Sequence, residues 1–255
     1  ARKDEEGNPV KKHIRTGLEG ALHGAMEGTD GSMRGMRDHK GRLLPMRSEE
    51  VVAKRDGDDV ILTIEADLQR EAYQALRDQV RAFRAERATA VVLNPRTGDV
   101  LALANYPSFD PTRAGVRTVD QNAAVGVQLD PGSVFKPITL AIALQEAKVD
   151  PKTIGVCNGV GEFGGIPLKC DLHNGRRAHG PVDAYGAMAK SCNIMAARWA
   201  TSVGRDRYLE YLEKLGLLRP QGSGIPGEVG GYVYRNDPAP LIQVSRWGMG
   251  QAITV

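Results

Sequence analysis

No apolar run in this sequence approaches the ~20 consecutive residues that a membrane-spanning helix needs; the longest are short stretches such as Val100-Leu101-Ala102-Leu103-Ala104. The opening residues, Ala1-Arg2-Lys3-Asp4-Glu5-Glu6, are charged and lack the apolar core of a secretory leader. Any membrane anchor is therefore expected outside this chain. Cysteine is scarce. Cys157, Cys170 and Cys192 are too few for a disulfide framework and do not by themselves indicate a redox compartment. Neither sign of charge dominates: 34 Lys and Arg against 31 Asp and Glu leave a net charge of +3. The basic residues form no stripe interleaved with aromatics, which argues against a nucleic-acid surface. Internal repeats and low-complexity tracts are lacking too. What remains is an ordinary globular composition, 41% hydrophobic and 25% charged. The 255 residues suffice for one large domain, with or without a smaller appendage.

Residues 1–57 are rich in glycine, charge and methionine, with weak periodicity, and read as an appendage or connecting region with little core of its own. Asp56-Gly57-Asp58 is a turn signal that places the main domain at 58–255. Val60-Ile61-Leu62-Thr63-Ile64 reads as a strand. From Asp67 the period changes: Leu68, Ala72, Leu76, Val80 and Phe83 make the apolar face of a helix with an arginine-rich outer side. Ala90–Leu93 and Val100–Leu103, joined by the turn Asn94–Asp99, read as a hairpin. Pro137–Leu144 carries no charge, which predicts a helix buried on all sides. Residues 155–180 read as a glycine-rich connection, 181–203 and 205–218 as helices, and the remainder as loop. This order predicts an α+β fold rather than a βαβ array.

Chemistry concentrates in two places. In Asp130-Pro131-Gly132-Ser133-Val134-Phe135-Lys136, the serine stands where the apolar helix begins. Serine caps helices, and Ser-x-x-Lys recurs by chance, so the pair alone does not decide the matter. Yet residues three apart share a helix face, and a lysine beside an apolar helix is partly desolvated, which favours the neutral amine as a base. Serine is a weak nucleophile until such a base takes its proton. The second place is Lys190-Ser191-Cys192-Asn193, between two helical stretches. By itself it could be a polar helix-helix turn.

Ser-x-x-Lys followed by Ser-x-Asn is the pattern of penicillin-binding proteins and serine β-lactamases. Pro131–Pro137 resembles the nucleophile segment of class B penicillin-binding proteins, and Tyr106-Pro107-Ser108-Phe109-Asp110-Pro111 the stretch just upstream of it. Gly17-Leu18-Glu19-Gly20, Ile225-Pro226-Gly227-Glu228 and Gly248–Val255 resemble further segments of those proteins, in the same order. Tyr106–Pro111 and Asp171-x-His173 look more like division-type than elongation-type enzymes.

That resemblance implies an antiparallel sheet packed between helices, and a peptidoglycan DD-transpeptidase that β-lactams acylate. Ser133 would attack the penultimate carbonyl of a D-Ala-D-Ala stem peptide, with Lys136 taking its proton. Ser191 would relay a proton to the leaving amine, and Asn193 would hold the substrate amide and orient Lys136. It also implies an extracytoplasmic position behind an upstream membrane anchor, a membrane-embedded glycan polymerase as partner, and no cofactor. The family's third motif, Lys-Thr/Ser-Gly on a strand, does not follow Asn193: no lysine comes after Lys214. Arg15-Thr16-Gly17 and Arg96-Thr97-Gly98 lie upstream of Ser133. The third-motif strand, and with it the end of the domain, is expected beyond Val255. Two other functions share the fold, a β-lactamase and a catalytically silent β-lactam sensor or scaffold.

Gly159-Val160-Gly161-Glu162-Phe163-Gly164 fits G-x-G-x-x-G, but with Gly165 and Pro167 following it lacks the helix that a nucleotide site requires. For Cys157 and Cys170 three readings stay open: unpaired thiols, a disulfide, or a metal site with His173 and His179. Their spacing follows no standard zinc pattern. Cys192 reads as a packed small residue, and His13, His23 and His39 as surface residues of the appendage.

Overall fold

The structure, a computed structural model, describes residues 17–40, 43–108, 122–171, 178–234 and 241–255. Its two compact units are Ala1–Gly126 with Gly224–Gly227, and Val127–Ser223 with Glu228–Val255. The first contains α1 (Gly17–Met26), the antiparallel pair β1 (Ser32–Arg37) and β2 (Leu43–Val52), α2 (Ala66–Phe83), the hairpin β3 (Ala88–Leu93) and β4 (Val100–Tyr106), and the short α3 (Ala123–Gly126). No described side chain up to residue 57 is buried.

In α2 the stripe Leu68, Ala72, Leu76 and Val80 faces inward as its spacing predicts, but Phe83 at the helix end is 79% exposed. Gln69 ties this helix to β4, its amide donating to Leu103 O (2.8 Å) and accepting from Leu103 N (2.7 Å). The segment 60–64 is not a strand. Thr63 Oγ1 and Glu65 N reach Val100 O and Leu101 O, yet Ile61 is 94% exposed. β-branched residues favour a pleated surface only where a ladder and a packed face are provided.

The second unit opens with a 3-10 turn, Gly132–Phe135, leading into α4 (Lys136–Gln145). After these come β5 (Gly155–Cys157), β6 (Val160–Phe163), β7 (Ile166–Lys169), β8 (Gly180–Val182), α5 (Ala184–Ala189), α6 (Asn193–Val203), α7 (Arg205–Lys214), β9 (Tyr232–Val233), α8 (Leu241–Gly248) and β10 (Ile253–Thr254). β5 pairs with β8, β6 with β7 and β9 with β10, and every pairing among the described residues is antiparallel.

Three sequence expectations need correction here. Residues 155–180 are not a plain connection. Gly164 and Gly165, both at positive φ (62° and 79°), make the two-residue turn of the β6–β7 hairpin, a geometry that glycine adopts without penalty. The stretch after residue 222 contains α8, whose Ile242, Val244 and Trp247 are buried. α4 is buried on one side only: Lys136, Thr139, Ile142 and Ala143 face in, while Pro137, Ala141 and Leu144 are exposed.

Packing centres on α6, where Ile194, Met195, Ala196, Ala197, Trp199, Ala200 and Val203 are buried. α4 and α8 both lie against it. Thr139 fixes α4 to its neighbours. Its hydroxyl donates to Gly248 O on α8 (2.8 Å), which leaves the oxygen to accept from Tyr208 OH on α7 (2.7 Å). Trp247 stacks on Tyr208 at 6.3 Å and 25°. These contacts fix the height and rotation of α4, and therefore where Lys136 points.

Candidate active site

Ser133 stands on the 3-10 turn ahead of α4. Gly132, at φ 60°, reverses the chain in front of it, and its N–H donates to Gly250 O (2.9 Å). The two backbones are so close that a Cβ on Gly250 would fall 2.1 Å from Gly132 O. Buried Phe135 anchors the turn from below, and Pro137 occupies the first turn of α4, where its missing N–H costs nothing. Ser133 itself is exposed, whereas Lys136 is buried to 1% exposure.

Ser191 and Asn193 come from the break between α5 and α6. Asp183 caps α5 by accepting from Gly186 N (2.7 Å), and the helix ends as Ser191 N reaches Met188 O and Cys192 N reaches Ala187 O. Ser191 sits at φ 51°, a left-handed conformation that costs a non-glycine residue about 1–3 kcal/mol and is concentrated at functional sites. Cys192 returns to extended geometry (φ −70°, ψ 112°), and α6 starts at Asn193.

Lys136 Nζ joins the two segments. It lies 3.1 Å from Ser133 Oγ, 2.9 Å from Ser191 Oγ, 2.6 Å from Ser191 O and 2.6 Å from Asn193 Oδ1. Thus the structure brings together all four residues that the sequence singles out. Two of the partners, Ser191 O and Asn193 Oδ1, can only accept. A neutral amine has two N–H groups to give them and one lone pair over, open to a proton from either serine hydroxyl. Burial lowers the Lys136 pKa, against the opposing pull of Cys170, Cys192 and Asp171. Desolvation therefore favours the basic form.

A cleft of about 390 Å³ opens over this group, lined by Gly132, Ser133, Asp171, Lys190, Ser191, Asn193, Met249 and Gln251. Sequence reasoning marked Gly248–Val255 as a recurring segment but did not place Met249 and Gln251 at the site. Nothing in a single sequence shows that this stretch folds back beside Gly132. The glycine-rich match at 159–164 lies on the β6–β7 hairpin with no helix after it, so it is not a phosphate cradle.

All three cysteines are free and buried, so the disulfide reading does not hold. Cys157, Cys170 and His179 do come together, and Cys192 joins them: their ligand atoms all lie within 4.8 Å of one another. His173, like His13 and Phe109–Pro111, lies outside the described residues. Burial pushes the Cys192 thiol up to about 12, so without a metal it is a neutral packed group rather than a competing nucleophile.

Residues 88–255 match the family described as penicillin binding protein transpeptidase domain. The chain is 33% identical over 218 residues to the Neisseria meningitidis protein named "Probable peptidoglycan D,D-transpeptidase PenA", which covers 84% of this chain and 36% of that protein. The chain thus spans about a third of the length of such curated relatives. A solved structure of penicillin-binding protein 3 from Mycobacterium tuberculosis, complexed with ampicillin, superposes with a TM-score of 0.79 at 28% identity, over 99% of this chain and 51% of the other. A peptidoglycan synthase complex that coordinates polymerization and crosslinking contains a chain matching at 27% identity, with a TM-score of 0.77, over 93% of this chain and 46% of its own.

Proposed function

This chain belongs to the class B penicillin-binding proteins, and from that membership we propose that its protein cross-links peptidoglycan by acyl transfer through Ser133, within a transpeptidase domain that takes in residues 58–255. One observation carries the reading: a buried lysine amine stands 3.1 Å from the Ser133 oxygen while Ser191 and Asn193 hold it from the other side.

Lys136 takes the Ser133 proton as Oγ bonds to the penultimate carbonyl carbon of a D-Ala-D-Ala stem peptide. The C–N bond to the terminal D-alanine then breaks, and the proton passes by way of Ser191 to the departing amine. An amine of a neighbouring stem peptide resolves the acyl-enzyme, and the same groups return the proton to Ser133. Asn193 holds the substrate amide and aims Lys136. Ser133 N–H, at the start of a helical turn, is suited to stabilise the tetrahedral oxyanion. β-Lactams acylate Ser133 by the same attack, in line with the ampicillin complex of the mycobacterial relative. The place of action is the extracytoplasmic face of the membrane, beside a glycan polymerase like that in the related synthase complex.

Fluorescent penicillin should label the protein expressed from its own gene, and Ser133→Ala should abolish the label. Undiminished labelling of that variant would remove Ser133 as the nucleophile. A label on the native protein without stem-peptide cross-linking would leave a sensor.

A further inference from the structure

We propose that Cys157, Cys170, His179 and Cys192 bind one zinc ion in a closed tetrahedral site directly behind the Ser191–Asn193 segment. The four ligand atoms converge within 4.8 Å of one another. They come from the end of β5, the residue after β7, the approach to β8 and the residue before α6. Cys170 Sγ is 3.8 Å from Cys192 Sγ and 3.5 Å from His179 Nδ1. Zinc bonds of about 2.3 Å to sulfur and about 2.0–2.1 Å to imidazole nitrogen give tetrahedron edges of about 3.8 Å between sulfurs and about 3.5 Å between sulfur and nitrogen. The observed separations match these edges, and the sulfur pair is far too wide for a disulfide bond of about 2.04 Å.

Hydrogen bonding agrees with the distances. Each sulfur is approached by backbone N–H: Cys157 by His179 and Gly159, Cys170 by Asn193 at 3.3 Å, and Cys192 by Met195. Amide donors stabilise thiolate and are the outer support that metal-bound sulfur commonly has. Three thiolates and a neutral imidazole form a soft, redox-silent donor set that selects zinc, and four protein ligands leave no open position, so the role is structural. On binding, the three thiols release three protons and the metal takes their place.

Cys192 lies between Ser191 and Asn193, and Asn193 N donates to Cys170 Sγ. The metal would thus clamp the segment on which the left-handed Ser191 and the lysine-holding Asn193 depend, fixing it to the strands behind.

Metal content and spectroscopy of the unaltered protein test this without recourse to catalysis. Protein purified under reducing conditions and dialysed against metal-free buffer should retain about one zinc per chain. After exchange with Co²⁺, it should show thiolate-to-cobalt charge-transfer bands and tetrahedral d–d bands. Cys157→Ser and Cys192→Ser should each weaken the charge-transfer band, and a chelator should lower the melting temperature of the unaltered protein. Three titratable thiols with no bound zinc and no cobalt spectrum would overturn the assignment. So would a cobalt spectrum unchanged by Cys157→Ser. Neither outcome depends on penicillin labelling, so this inference and the proposed activity fail separately.

Discussion

Asn193 Oδ1 lies 2.6 Å from Lys136 Nζ although 57 positions separate the two residues. The contact uses one of the two N–H groups of a neutral amine and leaves the lone pair toward the serines. Asn193→Asp keeps the shape and changes the charge. A carboxylate at that distance favours the ammonium form, so the Lys136 pKa rises and the base is lost at neutral pH. Acylation by fluorescent penicillin should fall by about 10²-fold or more, the scale of losing general-base catalysis, and part of the loss should return at high pH. Asn193→Ala removes the bond without adding charge, so it should lower the rate without raising the pH at which the rate turns on.

The pH profile of the unaltered enzyme follows from the burial of Lys136. Burial lowers its pKa below lysine's ordinary 10.5. The deprotonated form is the base, so acylation should rise with pH through a midpoint below that value and level off above it. Stopped-flow acylation between pH 5 and 11 measures the profile. A rate still climbing with the midpoint of a solvated lysine would show that the amine is not desolvated. Lys136→Met, which keeps most of the buried stem, should abolish the pH dependence along with most of the rate.

Among the described residues that line the cleft, the one carboxylate is Asp171. A transpeptidase holds its penicilloyl group for many minutes, whereas a β-lactamase needs a base that activates water. Nitrocefin should therefore acylate the protein once per chain with no steady-state turnover. Rapid turnover that disappears in Asp171→Asn would identify a deacylating base and favour the β-lactamase reading.

How much of this was legible in the sequence differs from residue to residue. Ser133 and Lys136 share one helical turn, so local geometry alone brings them near each other. The helix 66–83 and the hairpin around Asn94–Asp99 follow from period and turn chemistry. The meeting of Ser191 and Asn193 with Lys136 is tertiary, and only resemblance to a family pointed to it. Local signals failed where context decides. Residues 60–64 have the propensity of a strand but no ladder. α8 is eight residues long with β-branched Ile242 and Val244, and it is helical because α6 packs against it. Cys192 meets Cys157, Cys170 and His179 across 13 to 35 positions of sequence, a convergence that no local spacing reports.

Thr139 offers a test of how the helices position the site. Its hydroxyl donates to Gly248 O and accepts from Tyr208 OH, and all three groups are buried. Thr139→Val keeps the volume but leaves a carbonyl and a phenol without partners, at a cost of about 2–3 kcal/mol. Tyr208→Phe removes one donor while Thr139 still satisfies Gly248 O, so it should cost about 1 kcal/mol. The effects should not add: once Tyr208 is phenylalanine, Thr139→Val orphans only the carbonyl, and the double variant should cost less than the sum of the two. Denaturant titration of the four proteins gives the cycle. Strict additivity would mean that the two hydroxyls do not share a bond. A Tyr208→Phe penalty above that of Thr139→Val would mean that the tyrosine, not the threonine, ties α4 to α8.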